Sequence, residues 1–414
     1  MKKSKYEQLG IDPEKQAVRK IFKPYIANDF PNSFVNIVRD PCDCFEHPTV
    51  FTMHMDGDGS KFVQRALHYF ETGDETIFRG AVDDAWSMNM SDIAASGFVF
   101  GKFVLTDLIN INGLNLSKNL VMQQIGHRIS ELLDLYKKYG FDLVYFLGGE
   151  TADLPDQTPN AIFDMGVYAR TQSNFIITGN VCPGDRIYGL ASDGKTIWEK
   201  EYNSGIMSNG LTLTRSCLMH KNYNKKYPFL ARCYNKNTWI RNIFYQIFAR
   251  FGKGFYQGRF KVQDRLDILG GLTVSEAILS PTRQWAIVLR YLFAELGQEN
   301  IEKIHGISIN TGGGATKIKH VGKNILYKKL MPSPPPIFQL IQKESGESWR
   351  DMYRQFNCGV GLDIVIEDDF SLAAKLKAIC RKLGLTVYEL GVCLESGAKE
   401  NEVQLTTPYG NWVY

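Results

Sequence analysis

The chain has 414 residues, 44% hydrophobic and 22% charged, with a formal net charge of +4. That length exceeds one ordinary core, so two domains are expected, 1–174 and 175–414. No apolar run reaches the roughly 18 residues of a membrane span, and the lysines of "MKKSKYEQLG" precede no apolar core. A cytoplasmic protein with no membrane association is therefore expected.

Eight cysteines are too sparse for a disulfide scaffold, and Cys42 and Cys44 lack the CxxC spacing of zinc or redox sites, so reduced thiols are expected. Seven histidines without an HExxH pair argue against a His-bound transition metal.

In chain order, the first forty residues read as a basic, partly helical arm, with Val18, Ile21 and Phe22 at helical spacing. A strand follows at "TVFTMHMD", then an amphipathic helix "KFVQRALHYFETG" closed by Gly73. "DDAWSMNMSDIAASG" predicts a helix with Asp84, Met88 and Asp92 on one face. Next come a strand "GKFVLTDLI", a helix "NLVMQQIGHRISELLDLYKKYG", a buried-type strand "DLVYFLGGE" and a strand "NAIFDMGVYAR". A boundary falls near "TGNVCPGDRIYGLASDG". Residues 216–265 hold twelve aromatics and eleven Lys or Arg against the single acid Asp264. The Pro-rich "MPSPPPIF" leads into one helix, "QLIQKESGESWRDMYRQF", followed by a strand, the helix "DFSLAAKLKAICRKLG" and a final hairpin-like run. Two α+β halves result.

Five stretches can carry chemistry. In "MDGDGSK" the glycines allow close backbone approach, the aspartates can hold Mg²⁺ and Lys61 can neutralise a phosphate, although a structural turn fits as well. "LGGETAD" follows an apolar strand, as ligand loops of open sheets do, with Glu150 and Asp153 as carboxylates or as solvated acids of a turn. Asp84 and Asp92 form either a solvated face or a metal pair. "INTGGGATK" has the composition of an amide nest for phosphate or of a flexible turn. "SGIMSNGLTLTR" offers hydroxyls and an amide, or a helix start capped by Ser208 or Asn209.

Taken together, "MDGDGSK", "DDAWSMNMSDI", "LGGETAD", "PGDRIYGLASDG", "SGIMSNGLTLTR", "LSPTR", "NTGGG", "PPPIFQLIQ", "MYRQFNCGVG" and "YELG" resemble, in that order, the aminoimidazole ribonucleotide synthetase family, also called phosphoribosylformylglycinamidine cyclo-ligase. The resemblance implies a two-domain α/β (α+β) fold whose N-terminal sheet pairs across a homodimer. It implies ATP-dependent ring closure of formylglycinamidine ribonucleotide, a small-molecule substrate, in purine biosynthesis, with ATP and Mg²⁺ as cofactors. Carried over, Lys61, Asp84 and Asp92 are catalytic. Asp56, Gly57, Gly59, Lys61, Gly148, Gly149, Glu150 and Thr151 bind ATP. Asp56, Asp84, Asp92 and Glu150 hold metal. Ser208, Asn209, Gly210, Thr311, Gly312, Gly313 and Gly314 bind the substrate.

Departures accompany the match. Met207 stands where the family commonly has histidine, leaving His305 as a weak substitute, and Ser91 replaces the Asn of the usual "ND" pair. The segment 216–265 is longer than usual and reads as a locally packed basic insertion or as a surface for an acidic partner; no nucleic-acid motif accompanies its charge. Thiamine-monophosphate kinase, selenophosphate synthetase and the hydrogenase-maturation carbamoyl dehydratase share the superfamily and remain alternatives, as does a non-catalytic nucleotide-binding paralogue. The C-terminus "GNWVY" lacks the dehydratase cysteine, and "DPCDCF" does not look like the selenophosphate synthetase motif.

Overall fold

A computed structural model describes residues 4–9, 21–41, 48–230, 254–398 and 400–414. Cys42, Cys44, the helical arm around Val18 and the middle of the basic segment lie outside the described residues.

The N-terminal half begins with a short helix α1 (Lys5–Gln8) and continues through β1 (Val38–Arg39), β2 (Thr49–Gly57), α2 (Lys61–Thr72), α3 (Arg79–Ala94), β3 (Lys102–Ile111), α4 (Lys118–Lys138), β4 (Val144–Asp153) and β5 (Ala161–Gln172). The five strands lie in the order β1-β2-β5-β3-β4, antiparallel except for the parallel β3/β4 pair. Helix α2 ends where its sequence demands, at Gly73 in the left-handed region with φ 75°.

Helices α2, α3 and α4 pack on one face of this sheet. Among the described residues nothing covers the opposite face, which carries large apolar side chains, with Met53, Met55 and Leu147 exposed at 77%, 64% and 74%. Strand β4 is consequently not the buried strand its apolar letters suggest: it is the sheet edge, and "GGETAD" continues the strand past a bulge rather than forming a loop.

The C-terminal half contains β6 (Arg186–Ala191), α5 (Leu211–Leu218), α6 (Val274–Leu279), α7 (Trp285–Leu296), β7 (Ile304–Ile309), β8 (Ile325–Leu330), α8 (Pro336–Ser345), α9 (Trp349–Gln355), β9 (Val360–Ile366), α10 (Phe370–Lys382), β10 (Val387–Glu395), β11 (Glu402–Thr407) and β12 (Gly410–Val413). Its seven strands lie in the order β12-β11-β8-β10-β6-β9-β7, with β11/β8 the parallel pair. The segment expected as one helix is two, because Gly346 stops α8 at φ 62° and Ser348 caps α9 by accepting from the Asp351 N–H. Pro336 opens α8 at a first-turn position, where its missing N–H costs nothing.

Both sheets share one continuous apolar core running through Phe62, Trp86, Trp285 and Leu289. Helix α3 lies at its centre and touches β2, β5, α4 and α7, so it is buried on every side and its polar residues face protein. In the described part of the basic segment, Tyr227 stacks on Phe70 and its hydroxyl donates to Glu71, which also pairs with Lys226. The aromatics there pack locally against α2.

Candidate active site

Where the two halves meet, the turn after β2 delivers Asp58, and α2 and α3 deliver Lys61, Arg65 and Asp84. All four are 1% exposed or less. Asp84 Oδ1 accepts from Lys61 Nζ at 3.1 Å, Ser208 Oγ at 2.9 Å, the Thr282 N–H at 2.7 Å and Thr282 Oγ1 at 2.8 Å. Its other oxygen pairs with Arg65, whose Nε donates to Asp58 at 3.2 Å. Lys61 Nζ also donates to the carbonyls of Met207 (3.1 Å) and Ser280 (2.7 Å). Burial alone would raise the Asp84 carboxyl, but Lys61 and Arg65 outweigh it and hold it below its ordinary value.

Two expected site residues are thus held by protein and stand apart from the cavity. Lys61 meets three protein acceptors, and both oxygens of Asp84 are met by protein donors.

Beside the cluster is a cavity of about 250 Å³ lined by Asp56, Gly57, Gly59, Met88, Asp92, Ser208, Asn209, Gly210, Thr311, Gly312, Gly313 and Lys317, with Tyr6 and Gln355 at its wall. The acidic glycine turn, the α3 carboxylate, "SNG" and "TGG", far apart in sequence, thus surround one space. The backbone requires glycine here: a Cβ on Gly57 would collide with the Asp164 carboxylate, and one on Gly210 with the Phe356 ring. Gly210, at φ 67°, is itself the N-terminal cap of α5, so Ser208 and Asn209 do not cap and are left to face the cavity.

Asp92 is 6% exposed, and its Oδ1 has no partner among the described residues. Burial pushes its carboxyl up to about 6, against the pull of His54 and Lys317. His54 escaped the sequence analysis. It sits two residues before Asp56 on the same face of β2, with Nε2 at 3.6 Å from Asp92 Oδ2 and Nδ1 at 3.2 Å from Asn89 Oδ1. Because Asn89 Nδ2 donates to the carbonyls of Asp56, Ala85 and Met165, its Oδ1 is an acceptor. His54 Nδ1 therefore carries a proton toward Asn89, and the Nε2 edge of the ring faces Asp92. Lys317, the last residue of "INTGGGATK", is the cation at the cavity in place of Lys61.

Other expected residues lie elsewhere. Gly148, Gly149, Glu150 and Thr151 belong to the edge strand β4. Glu150 is in register with Leu108, Asp164 and Gly57 across three strand spacings, which is roughly 14 Å, and does not line the cavity. Gly314 packs on the Phe356 backbone behind the cavity wall. Met207 is 1% exposed with φ 58°, so its side chain is core and not an open replacement for an active-site imidazole. His305 stands at the far end of β7, paired with Asp185 at 2.8 Å, and cannot substitute for it. Among the described residues no three His, Cys, Asp or Glu side chains form a ready metal cluster, and no helix is long and apolar enough to cross a membrane.

No family model matches the chain. The sequence is similar to that of a phosphoribosylformylglycinamidine cyclo-ligase from Methanocaldococcus jannaschii, 26% identical over 344 residues covering 82% of this chain and 77% of the relative. The cyclo-ligase of Symbiobacterium thermophilum is 26% identical over 315 residues, covering 74% and 71%. Among solved structures, thiamine monophosphate kinase from Aquifex aeolicus aligns over 97% of this chain and 99% of its own at 10% identity, with a TM-score of 0.48.

Two outcomes test the geometry. Lys61→Met strands a buried carboxylate, so it should lower the stability read from urea midpoints by about 3 kcal/mol or more; an unchanged midpoint would refute the cluster. Asp92 has a folded value near 6 against 3.8 unfolded, so its contribution is present below 3.8 and lost as pH rises through 6. In chelator, Asp92→Asn should therefore be more stable than the parent protein at pH 7.5, by up to about 3 kcal/mol, with the gain vanishing near pH 4. A pH-independent difference would show that Asp92 is neutralised within the protein. Curated phosphoribosylformylglycinamidine cyclo-ligases are thus similar to this chain along most of its length, at about a quarter identity.

Proposed function

We propose that this protein is an ATP-dependent ligase that closes formylglycinamidine ribonucleotide to aminoimidazole ribonucleotide, releasing ADP and phosphate, in the cytoplasm. The observation that carries the proposal is the convergence of the acidic glycine turn, Asp92, "SNG" and "TGG" on one cavity. The names of the curated relatives support the same reaction.

The chemistry asks for little covalent participation by the protein. An amide-type oxygen leaves poorly until a phosphoryl group from ATP is placed on it; the neighbouring nitrogen then bonds to the activated carbon, phosphate departs and the ring is closed. The protein's task is to align two anionic molecules and offset the charge of the transferred group. Asp56 and Asp92 are the carboxylates at the cavity that would hold Mg²⁺, and the unpartnered Asp92 Oδ1 fits a cation ligand. A bound Mg²⁺ would offset phosphoryl charge there. Lys317 supplies a protein cation on the same wall, Gly59, Gly312 and Gly313 admit phosphate oxygens to the backbone, and Ser208 and Thr311 contribute hydroxyls. At about 250 Å³ the cavity accommodates the reacting ends of the ligands, not two whole nucleotides.

A homodimer accounts for the uncovered sheet face. A second copy laid on Met53, Met55 and Leu147 would remove that apolar surface from water and bring its own edge strand, with Glu150, toward the paired sheet. Leu147→Lys should convert the dimer to a monomer in sedimentation velocity with the monomer still folded; a monomeric parent protein would end this part of the proposal.

The decisive assay follows ADP and the aminoimidazole product together, with Mg-ATP and formylglycinamidine ribonucleotide. Equal amounts of both are expected. ATP binding without either product would reassign the cavity to another ATP-using reaction or to a non-catalytic role.

A further inference from the structure

Besides Asp56 and Asp92, the cavity is walled by groups that the charge-neutralising chemistry does not use. Gln355, the last residue of α9, is 2% exposed and lines the cavity, and neither Oε1 nor Nε2 has a hydrogen-bond partner among the described residues. Asn209 lines the same space, with Nδ2 also unpartnered. Burying amide atoms without partners costs stability, so Gln355, together with the buried Nδ2 of the half-buried Asn209, marks a place where a ligand completes the hydrogen bonding.

The N-terminal arm closes this end. Glu7 pairs with Arg354 at 3.3 Å, the Lys5 N–H donates to Glu347 at 2.8 Å and Lys5 Nζ donates to the Ser345 carbonyl. These attachments flank α9 and set Tyr6 at the cavity wall, where the Gly210 N–H meets its hydroxyl. The arm therefore holds Tyr6 and Gln355 in one wall.

We propose that Gln355, which lines the cavity together with Asn209 and Tyr6, is a specificity-determining side chain that reads an amide or amidine edge of the substrate. A carboxamide presents two donor hydrogens and one acceptor oxygen. A phosphate, which only accepts, would leave Oε1 unsatisfied, and an ammonium, which only donates, would leave Nε2 unsatisfied. A ligand edge that both donates and accepts satisfies both. The formylamide and amidine of formylglycinamidine ribonucleotide are such edges, whereas the triphosphate of ATP is not. The inference rests on the proposed function for the identity of the substrate.

The test uses the full-length protein with Gln355→Met, which keeps the length and removes both polar atoms, and Gln355→Glu, which removes the donors alone. Binding of formylglycinamidine ribonucleotide and, separately, of Mg-ADP is measured by calorimetry, and melting temperature is measured without ligand. Both variants should weaken the ribonucleotide at least tenfold and change Mg-ADP by less than twofold, while Gln355→Met melts no lower than the parent protein. Parent-like ribonucleotide binding by Gln355→Met overturns the inference and leaves the proposed function standing. Equal weakening of both ligands with a lower melting temperature also overturns it, by making Gln355 structural. A parent protein that binds Mg-ADP but not the ribonucleotide overturns the proposed function and the inference together.

Discussion

The buried cluster of Asp58, Lys61, Arg65 and Asp84 is the constraint on which the site depends. Its two acids and two bases all come from the N-terminal half, yet Asp84 is completed by Ser208 and Thr282, and Lys61 by the Met207 and Ser280 carbonyls, all from the C-terminal half. Four charges taken out of water are an expensive way to join two layers, and apolar residues of equal volume could serve as well energetically. Ion pairs of this geometry do what apolar contacts cannot, which is to tolerate one register only. The cavity lies immediately beside them and takes its walls from both halves.

The cluster and the cavity follow opposite rules. In the cluster every hydrogen-bonding group is matched within the protein, and the result is rigid. At the cavity the side chains of Asp92, Asn209 and Gln355 each retain an unmatched buried atom. Trp86 Nε1 and Trp285 Nε1 are unmatched too, but they lie in the packed core, whereas the atoms of Asp92, Asn209 and Gln355 border a space that a ligand can enter and so can be completed there. Glycines at 57 and 210 belong to the same pattern, since any larger residue would push a neighbouring carboxylate or ring out of place.

Much of this was legible in the sequence. The strand before "MDGDGSK" and the helix closed by Gly73 follow from periodicity and turn chemistry, and the meeting of "SNG" with "TGG" is what the family resemblance implies. What was not legible is which member of a motif faces the cavity. Lys61 and Asp92 both look like site residues in one dimension, but Lys61 opens a helix whose first turn points into the domain junction, and Asp92 lies two turns along α3 from the saturated Asp84. Helix α3 could not reveal this, because it is buried all round and lacks the one-sided pattern from which a face is read. Gln355 was hidden for a related reason: the apparent single helix through "QLIQKESGESWRDMYRQF" conceals the Gly346 break that lets α9 end at the cavity.

The edge strand β4 brings the remaining ambiguity to a physical point. Its apolar letters predict burial and its acids predict a ligand loop, but within one chain the strand is exposed and Glu150 is three strands away from the turn at Gly57. The two expectations agree if the surface that buries these apolar residues is another molecule. An exposed edge beside a broad apolar face is a hazard for an isolated protein, which normally blunts it with charge or covers it. Here Leu143, just before β4, and Tyr145 and Leu147 within it are exposed, and the sequence offers no lysine between them. Among the described residues no surface covers β4, and its apolar letters are those of a strand that a second surface would bury.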